Sequence, residues 1–202
     1  MKENTKKKDK DWFDIASEHH DEENYAQALV AINKYVENHP KSKSGKLLKA
    51  VIYRDLANYT LAIQLLEEIK PTPKDKRDYS IIYFLELGRT YKEKGDYKRA
   101  IKWYDKGIAI SPDETIGYIY KGACLAAAGK YELAKIEHLK ATKLAGDPEE
   151  AFYNLALITR AEMKFAAAKE YCEQSLAIDP NDKNVQHCYN DILLAIQLID
   201  KK

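Results

Sequence analysis

The chain has 202 residues, in which 33 lysines and arginines are balanced by 32 aspartates and glutamates, so the net charge is +1. This balance argues against the broad basic surface that binding along a nucleic-acid backbone requires. The apolar runs are far shorter than the ~20 residues that cross a membrane. Only 8 glycines and 6 prolines occur, which favours long helices over many tight turns.

The N-terminal residues 1–8 are rich in lysine and are predicted to form a disordered tail, because runs of like charge usually stay solvated. No apolar segment follows this basic start, so we predict no secretory signal. The cysteines are Cys124, Cys172 and Cys188, an odd number that does not suggest a disulfide framework. We therefore expect free thiols in a cytoplasmic protein.

A period of 34 residues runs through most of the chain. Residues that share this spacing include Tyr97, Tyr131 and Phe165, and with them Ala100, Ala134 and Ala168. Periods of this length are typical of helical repeat arrays. The pattern predicts five copies, at residues 9–42, 43–76, 81–114, 115–148 and 149–182, followed by a capping helix at 183–202.

Each copy is predicted to form two amphipathic helices around a short turn. In the third copy, Phe84, Leu87 and Tyr91 share the spacing of one helical face. Gly95 then ends the first helix, since glycine readily adopts the backbone geometry of a helix end. Small residues in the first helix face the alanines of the second, which lets the two backbones approach closely. The small column consists of Ala16, Ala50, Gly88, Gly122 and Ala156.

These columns make the chain resemble the tetratricopeptide repeat family. The clearest stretches are residues 83–88 with 94–101 in the third copy, and 152–156 with 176–180 in the fifth. The resemblance implies an all-α fold, a right-handed α-solenoid of helix–turn–helix repeats, with a concave groove lined by the first helices. The first two copies depart most from the family pattern, because Tyr35 and Ile69 replace the usual small residue of the second helix.

Four extra residues, 77–80, separate the second copy from the third, and they follow the segment Pro71-Thr72-Pro73. Proline interrupts a helix because it lacks the backbone N–H donor. The segment therefore predicts a lengthened loop between the repeats at 71–80, and it is also compatible with a longer first helix in the third copy. A hinge and a rigid splice are both compatible with this pattern.

The predicted capping helix carries an apolar stripe that includes Val185 and Ile192 and can cover the fifth copy. Further apolar residues extend beyond that stripe, at Leu193, Leu194, Leu198 and Ile199. This surplus is compatible with a homodimer contact through the helix and with a plain cap.

The chain contains none of the short motifs of catalysis or phosphate binding, such as HExxH, CxxC or GxSxG. The adjacent His19 and His20 would point about 100° apart on a helix, so they cannot easily share one metal ion. Cys172 falls in an apolar helix column, without the neighbouring cations that activate a thiol. We therefore predict no enzymatic activity, no metal and no cofactor.

The resemblance places the binding surface on the concave side of the first helices. The residues there are apolar in the middle with cations near the rim, which suits an extended peptide or an amphipathic helix of a partner protein. The candidate groove residues are Leu48, Val51, Arg54, Glu86, Arg89, Lys92, Ile119, Tyr120, Ala123, Tyr153, Asn154, Leu157 and Arg160.

One subfamily binds the C-terminal carboxylates of chaperones through lysine, asparagine and arginine side chains on three first helices. Only Asn154 matches that clamp, so a chaperone-tail adaptor is not expected. The sequence favours a non-enzymatic protein-interaction scaffold, with neither a nucleic acid nor a membrane as partner. The alternatives are a self-assembly module and an RNA-binding helical repeat, although the latter needs a more basic face than Asp55, Glu86 and Glu93 allow.

Overall fold

The computed structural model describes residues 11–144 and 146–200. The tail predicted at residues 1–8 lies outside the described residues. Within the described ranges the regular elements are eleven α-helices. They are α1 (Trp12–Asp21), α2 (Tyr25–Asn38), α3 (Lys43–Asp55), α4 (Tyr59–Glu68), α5 (Arg77–Glu93), α6 (Tyr97–Ile110), α7 (Thr115–Ala127), α8 (Tyr131–Ala141), α9 (Glu149–Ala161), α10 (Phe165–Ile178) and α11 (Lys183–Asp200).

The helices α1 to α10 follow one another as five pairs in the order of the five predicted copies, although α5 begins at Arg77, before the third predicted range starts at 81, and α11 follows as a single helix. The members of a pair contact each other, as α1 does with α2 and α9 with α10. The expected all-α class of helix–turn–helix repeats is therefore confirmed. The four extra residues 77–80 form the first turn of α5, which has 17 residues, and the loop before it, residues 69–76, is longer than the loops 39–42 and 111–114, because α4 ends early at Glu68.

The contacts of the chain divide it into two compact units. Unit one comprises the described residues up to Tyr79, together with Glu93–Gly95, and therefore contains α1 to α4. Unit two comprises Ser80–Lys92 and the described residues from Asp96 onward, and therefore contains α6 to α11 with most of α5.

A residue with positive φ ends the first helix of every copy. Glycine holds this place in α5 and α7, whereas the other copies use Glu23, Ala57 and Met163, with φ of 59°, 57° and 61°. The amide that follows closes the turn, as when Asn24 N donates to His19 O at 2.7 Å. This left-handed ending is a common helix stop, and it explains why each first helix ends at the same place in its copy.

The small column of the first helices is required by large side chains on the second helices. A Cβ at Gly88 would lie 2.4 Å from the Tyr104 ring, and a Cβ at Gly122 would lie 2.6 Å from the His138 ring. Tyr104 and His138 are both fully buried, so neither ring has space to move away. The paired helices therefore approach as closely as their side chains allow.

The two unusual residues of the first copies are accommodated within unit one. The Tyr35 ring packs edge-on against Phe13, with ring centroids 5.2 Å apart, and lies where a Cβ at Gly45 would come within 2.7 Å. Ile69 is buried, and its backbone oxygen accepts a hydrogen bond of 2.6 Å from the Tyr79 hydroxyl. A glycine in the following helix thus compensates for the large residue at position 35.

Within a unit, a side chain on the second helix of one copy packs against a side chain on the first helix of the next copy. The two positions are the same in each copy, but the residue types that occupy them differ in chemistry. Ile32 and Leu48 share one apolar cluster, the Tyr104 and Tyr120 rings lie 6.1 Å apart, and Cys172 and Cys188 are buried together within hydrogen-bonding reach. His138 and Asn154 hold the same two positions in the remaining copies of unit two.

Substituting Gly88 by alanine is expected to lower the free energy of unfolding by about 1–3 kcal/mol, because the new methyl group overlaps the buried Tyr104 ring. Gly107→Ala is the matched control, since its Cβ would lie 3.4 Å from the nearest atom, Leu85 Cδ2. That variant should gain about 0.5–1 kcal/mol from helix propensity. Urea unfolding monitored by circular dichroism measures both, and equal effects would contradict the packing account.

Substituting Met163 by glycine is expected to raise the free energy of unfolding by about 0.5–1 kcal/mol, because glycine adopts the left-handed conformation without steric strain. The Met163 side chain is 73% exposed, so its removal sacrifices little burial. The reciprocal change, Gly129→Ala, should destabilise by about 1 kcal/mol, since only backbone strain is added at that open site. Thermal unfolding of the two variants should therefore shift in opposite directions.

Candidate functional site

Polar side chains of α5, α7 and α9 come together in unit two. The Arg89 guanidinium lies 5.4 Å from the centroid of the Tyr120 ring and pairs with Glu86 at 3.4 Å. Burial raises the pKa of the Glu150 carboxyl, whereas the positive charges of Lys92 and Arg89 oppose that shift. These contacts place the side chains of three first helices on one surface.

An apolar pocket of about 170 Å³ opens between α7 and α9. The alanines of α7 create this space, because a larger side chain at Ala126 would fill it. The pocket is lined by Ala126, Tyr131, Asn154, Leu157, Ile158 and Ala161. Its size and apolar walls suit one side chain of a bound segment.

Asn154 supplies the polar group of this pocket. Its Nδ2 is buried and has no hydrogen-bond acceptor among the residues that the structure describes. A buried donor without a partner costs about 1–3 kcal/mol. We call the surface formed by Glu86, Arg89, Tyr120, Ala123, Asn154 and Leu157 the first-helix face.

The first-helix face is supported from the side of α11. Arg160 of α9 pairs with Asp191 of α11 at 3.3 Å, so this candidate rim cation is engaged by a carboxylate of the cap. Tyr153 and Leu157 pack against the buried cluster that contains Val185. Both residues therefore stabilise the α9–α11 contact, and Leu157 lines the surface as well.

Three other candidates of unit two differ in their accessibility. Ile119 is only 2% exposed and packs with Ala141 and Ala151, so it supports the surface from below. Lys92 and Ala123 are half-buried. The small Ala123 leaves the Tyr120 ring accessible along α7.

The candidates of unit one lie in a more closed environment. Leu48 packs in the apolar cluster of α1 and α2, and Val51 is half-buried. Arg54 was expected at a rim but is 6% exposed, because its Nε donates to Asp55 Oδ1 at 3.0 Å. Asp55 also contacts His20 Nε2 at 2.8 Å, so Arg54 presents little charge to a ligand.

Sequence reasoning missed two residues, His20 beside the candidates of unit one and Glu150 near those of unit two. His20 stands at the position of the period that Arg54, Lys92 and Arg160 hold in other copies, and that column could have identified it. Glu150 follows no apolar pattern, and its proximity to cations on α5 is visible only in the fold.

The buried thiols of Cys124 and Cys172 are not activated. Burial, together with the neighbouring Cys188, raises the pKa of Cys172 to about 12, and burial raises the pKa of Cys124 to about 11. Among the described residues, no group of three or more histidine, cysteine, aspartate or glutamate side chains is placed to hold a metal ion. No described helix has the combination of length and hydropathy needed to cross a bilayer.

Family models described as tetratricopeptide repeats match most of the chain. One model matches residues 13–76, and another matches residues 82–114 and 149–182. The last two ranges nearly coincide with the third and fifth copies of the 34-residue period.

Curated relatives match over only part of their length. The TPR repeat-containing protein MJ0940 of Methanocaldococcus jannaschii is 29% identical over 108 residues, which is 54% of this chain and 32% of the relative. The human protein O-mannosyl-transferase TMTC1 is 24% identical over 124 residues, which is 61% of this chain and 14% of the relative. The chain thus spans about a third or less of these relatives.

Several solved structures share the fold. TTC0263, a thermophilic TPR protein of Thermus thermophilus, has a TM-score of 0.74 at 15% identity and covers 91% of this chain and 97% of its own. YrrB, described as a TPR protein with an unusual peptide-binding site, has a TM-score of 0.58 at 18% identity, with coverages of 89% and 90%. The first TPR of Spaghetti (RPAP3), bound to the HSP90 peptide SRMEEVD, has a TM-score of 0.55 at 22% identity, with coverages of 58% and 95%.

Acidification is expected to destabilise the protein through His138. Burial lowers the pKa of His138 from 6.5 to about 4, so the unfolded chain takes up this proton first. The free energy of unfolding should therefore fall as the pH drops from about 6.5 to about 4, by up to ~3 kcal/mol from this residue. Urea unfolding at several pH values measures the slope of the free energy of unfolding against pH.

His138→Phe removes the titrating group, so the free energy of unfolding of this variant should depend less on pH. This expectation holds even if the variant is more or less stable than the wild type at every pH. His187→Gln is the matched control, because His187 is exposed. An unchanged slope in His138→Phe would contradict the assignment to His138.

Proposed function

Because the chain belongs to the tetratricopeptide repeat family, we propose that it is a non-enzymatic scaffold that binds a peptide or helical segment of another protein on the first-helix face. The observation that carries the proposal is the apolar pocket beside the unpartnered Asn154 donor. Two fold neighbours are described with peptide-binding sites or bound peptides, which supports this use of the fold.

In this proposal the partner segment places one apolar side chain in the pocket against Leu157 and Ala126. A backbone carbonyl of the segment accepts a hydrogen bond from Asn154 Nδ2 once the amide has rotated toward the pocket, because this atom is buried in the structure. The Tyr120 ring and Arg89 guanidinium extend the surface beyond the pocket, where they contact the flanking residues of the segment. A preformed pocket of this kind lowers the ordering cost of binding.

The partner differs from a chaperone tail in this proposal. Binding a terminal carboxylate needs several free cations on neighbouring first helices. Arg54 and Arg160, which lie on that side of their helices, are already paired with carboxylates. An internal segment with an apolar anchor is therefore favoured over a terminal carboxylate.

Self-association through α11 is a second candidate function. Leu194, Leu198 and Ile199 of this helix are 57%, 57% and 54% exposed, which is unusual for large apolar side chains near the end of a repeat array. Light scattering over a range of concentrations tests this candidate: a constant monomer mass would eliminate it.

Peptides selected from a random display library on the wild-type protein provide the test of the main proposal. Ala161→Phe should fill the pocket and weaken binding of the selected peptides by at least about tenfold, since ~1.4 kcal/mol is lost when one anchor is excluded. Asn154→Ala should also weaken binding, because it removes the donor.

Ala166→Phe is the matched control, since it adds the same ring at an exposed position of the second helix α10. Its affinity for the peptides should equal that of the wild type, with helical content unchanged in all variants. Peptides that bind Ala161→Phe and the wild type equally would reject the first-helix face as the site.

A further inference from the structure

A second pocket, of about 250 Å³, lies on the α6 side of unit two. It is lined by Tyr91, Arg99, Lys102, Trp103 and Lys106, and we call it the basic–aromatic pocket. Arg99, Lys102 and Lys106 are exposed, whereas Trp103 is half-buried. None of these five residues belongs to the first-helix face.

Aromatic rings hold the cations of this pocket in place. Lys106 Nζ lies 4.0 Å from the centroid of the Trp103 ring, and the Arg99 guanidinium lies 5.5 Å from that of Tyr91. Trp103 is itself fixed by stacking on Phe84, at 5.8 Å and an interplanar angle of 17°. Rings orient a cation without neutralising it, so its charge stays available to an anion.

Carboxylates neutralise little of this charge. Arg99 pairs with Asp96 at 3.3 Å, whereas neither Lys102 nor Lys106 has an ion-pair partner within the ranges that the structure describes. Asp105, next to Lys106 in the chain, is engaged by Lys121 at 2.8 Å. Two lysines and one arginine thus form a local excess of positive charge in a chain whose net charge is +1.

The repeat fold does not require these residues. The positions of Arg99, Lys102 and Lys106 carry one cation or none in each of the other copies. The equivalent residues are Gln27, Val30 and Lys34, then Leu61, Gln64 and Glu68, then Leu133, Ile136 and Lys140, and finally Ala167, Glu170 and Gln174. The pocket is therefore specific to the third copy and calls for an explanation other than packing.

We propose that the basic–aromatic pocket binds an acidic segment of a partner protein. Carboxylates of the segment pair with Arg99, Lys102 and Lys106, and a neighbouring apolar or aromatic side chain packs against Trp103. The three cations lie on one face of α6 and span only ~10 Å along it, since each residue advances the helix by ~1.5 Å. This length matches two or three carboxylates.

The surroundings of the pocket favour an acidic protein segment over a nucleic acid. A single-stranded nucleic acid needs a longer track of cations that follows its backbone. Here the three cations span only ~10 Å of α6, which is shorter than such a track.

Trp103 provides its own reporter, because the chain contains only 2 tryptophans. The variant Trp12→Phe leaves Trp103 as the single tryptophan, and excitation at the red edge of its absorption band avoids the 15 tyrosines. Titration of this variant with a tryptophan-free peptide of glutamates around one phenylalanine should change its fluorescence saturably. A peptide of glutamines around one phenylalanine should cause no such change. Raising the salt from about 50 mM to about 500 mM should weaken binding by about tenfold or more, since exposed charges are screened.

Three further variants locate the binding. In the Trp12→Phe background, the double change Lys102→Glu and Lys106→Glu should weaken peptide binding by more than about tenfold. The matched control, Lys98→Glu with Lys130→Glu, changes the net charge equally at exposed lysines outside the pocket and should retain binding within about twofold. Ala161→Phe should also retain it, so this test succeeds or fails independently of the proposed first-helix face.

Three results would overturn the proposal. The first is the absence of a saturable Trp103 response to the glutamate peptide at low salt. The second is an equal loss of binding in the two double variants, which would indicate only a general charge effect. The third is tighter binding of an oligothymidylate than of the peptide, which would assign the pocket to single-stranded nucleic acid.

Discussion

The close approach of the two helices within each copy is the constraint on which the rest of the structure depends. In unit two, the Tyr104 and His138 rings occupy the space above Gly88 and Gly122, where not even one methyl group fits. This packing leaves polar atoms without partners in the described part of the chain, namely the Tyr104 hydroxyl and both ring nitrogens of His138. Dense apolar contact thus outweighs unsatisfied polar groups in this core. Because the inward faces hold the copies together, the outward faces are free to vary.

The period of the sequence predicted the helix pairs because the residues that pack them recur in every copy. It could not predict what depends on single neighbours. Met163 adopts a left-handed turn although only glycine signals such a turn in a sequence. Arg54 shares a column with groove cations, yet the adjacent Asp55 draws it into the protein. Asn154 was predicted for the surface, but its missing acceptor depends on how the side chains around it are oriented, which a periodic pattern does not encode.

The two proposed surfaces use the two helices of a copy in different ways. On the first helices, small residues lie beside the Asn154 amide, so the first-helix face would select a partner segment by its shape and by a single hydrogen bond. The second helix α6 presents cations fixed on rings, so the basic–aromatic pocket selects by charge and depends on ionic strength. A partner that engages both surfaces would gain from linked binding, because the second contact forms at a high effective concentration.

The side-chain pairs that join successive copies differ from one junction to the next, and this limits which copies the chain could lose or gain. Repeat arrays grow and shrink by gain or loss of whole copies, which works when every junction is alike. Here the Tyr104–Tyr120 and Cys172–Cys188 junctions differ in volume and polarity. Excising the fourth copy would set Tyr104 against Asn154, a large ring against a polar amide. The copies share one architecture but are not interchangeable parts, and their order along the chain is itself part of the structure.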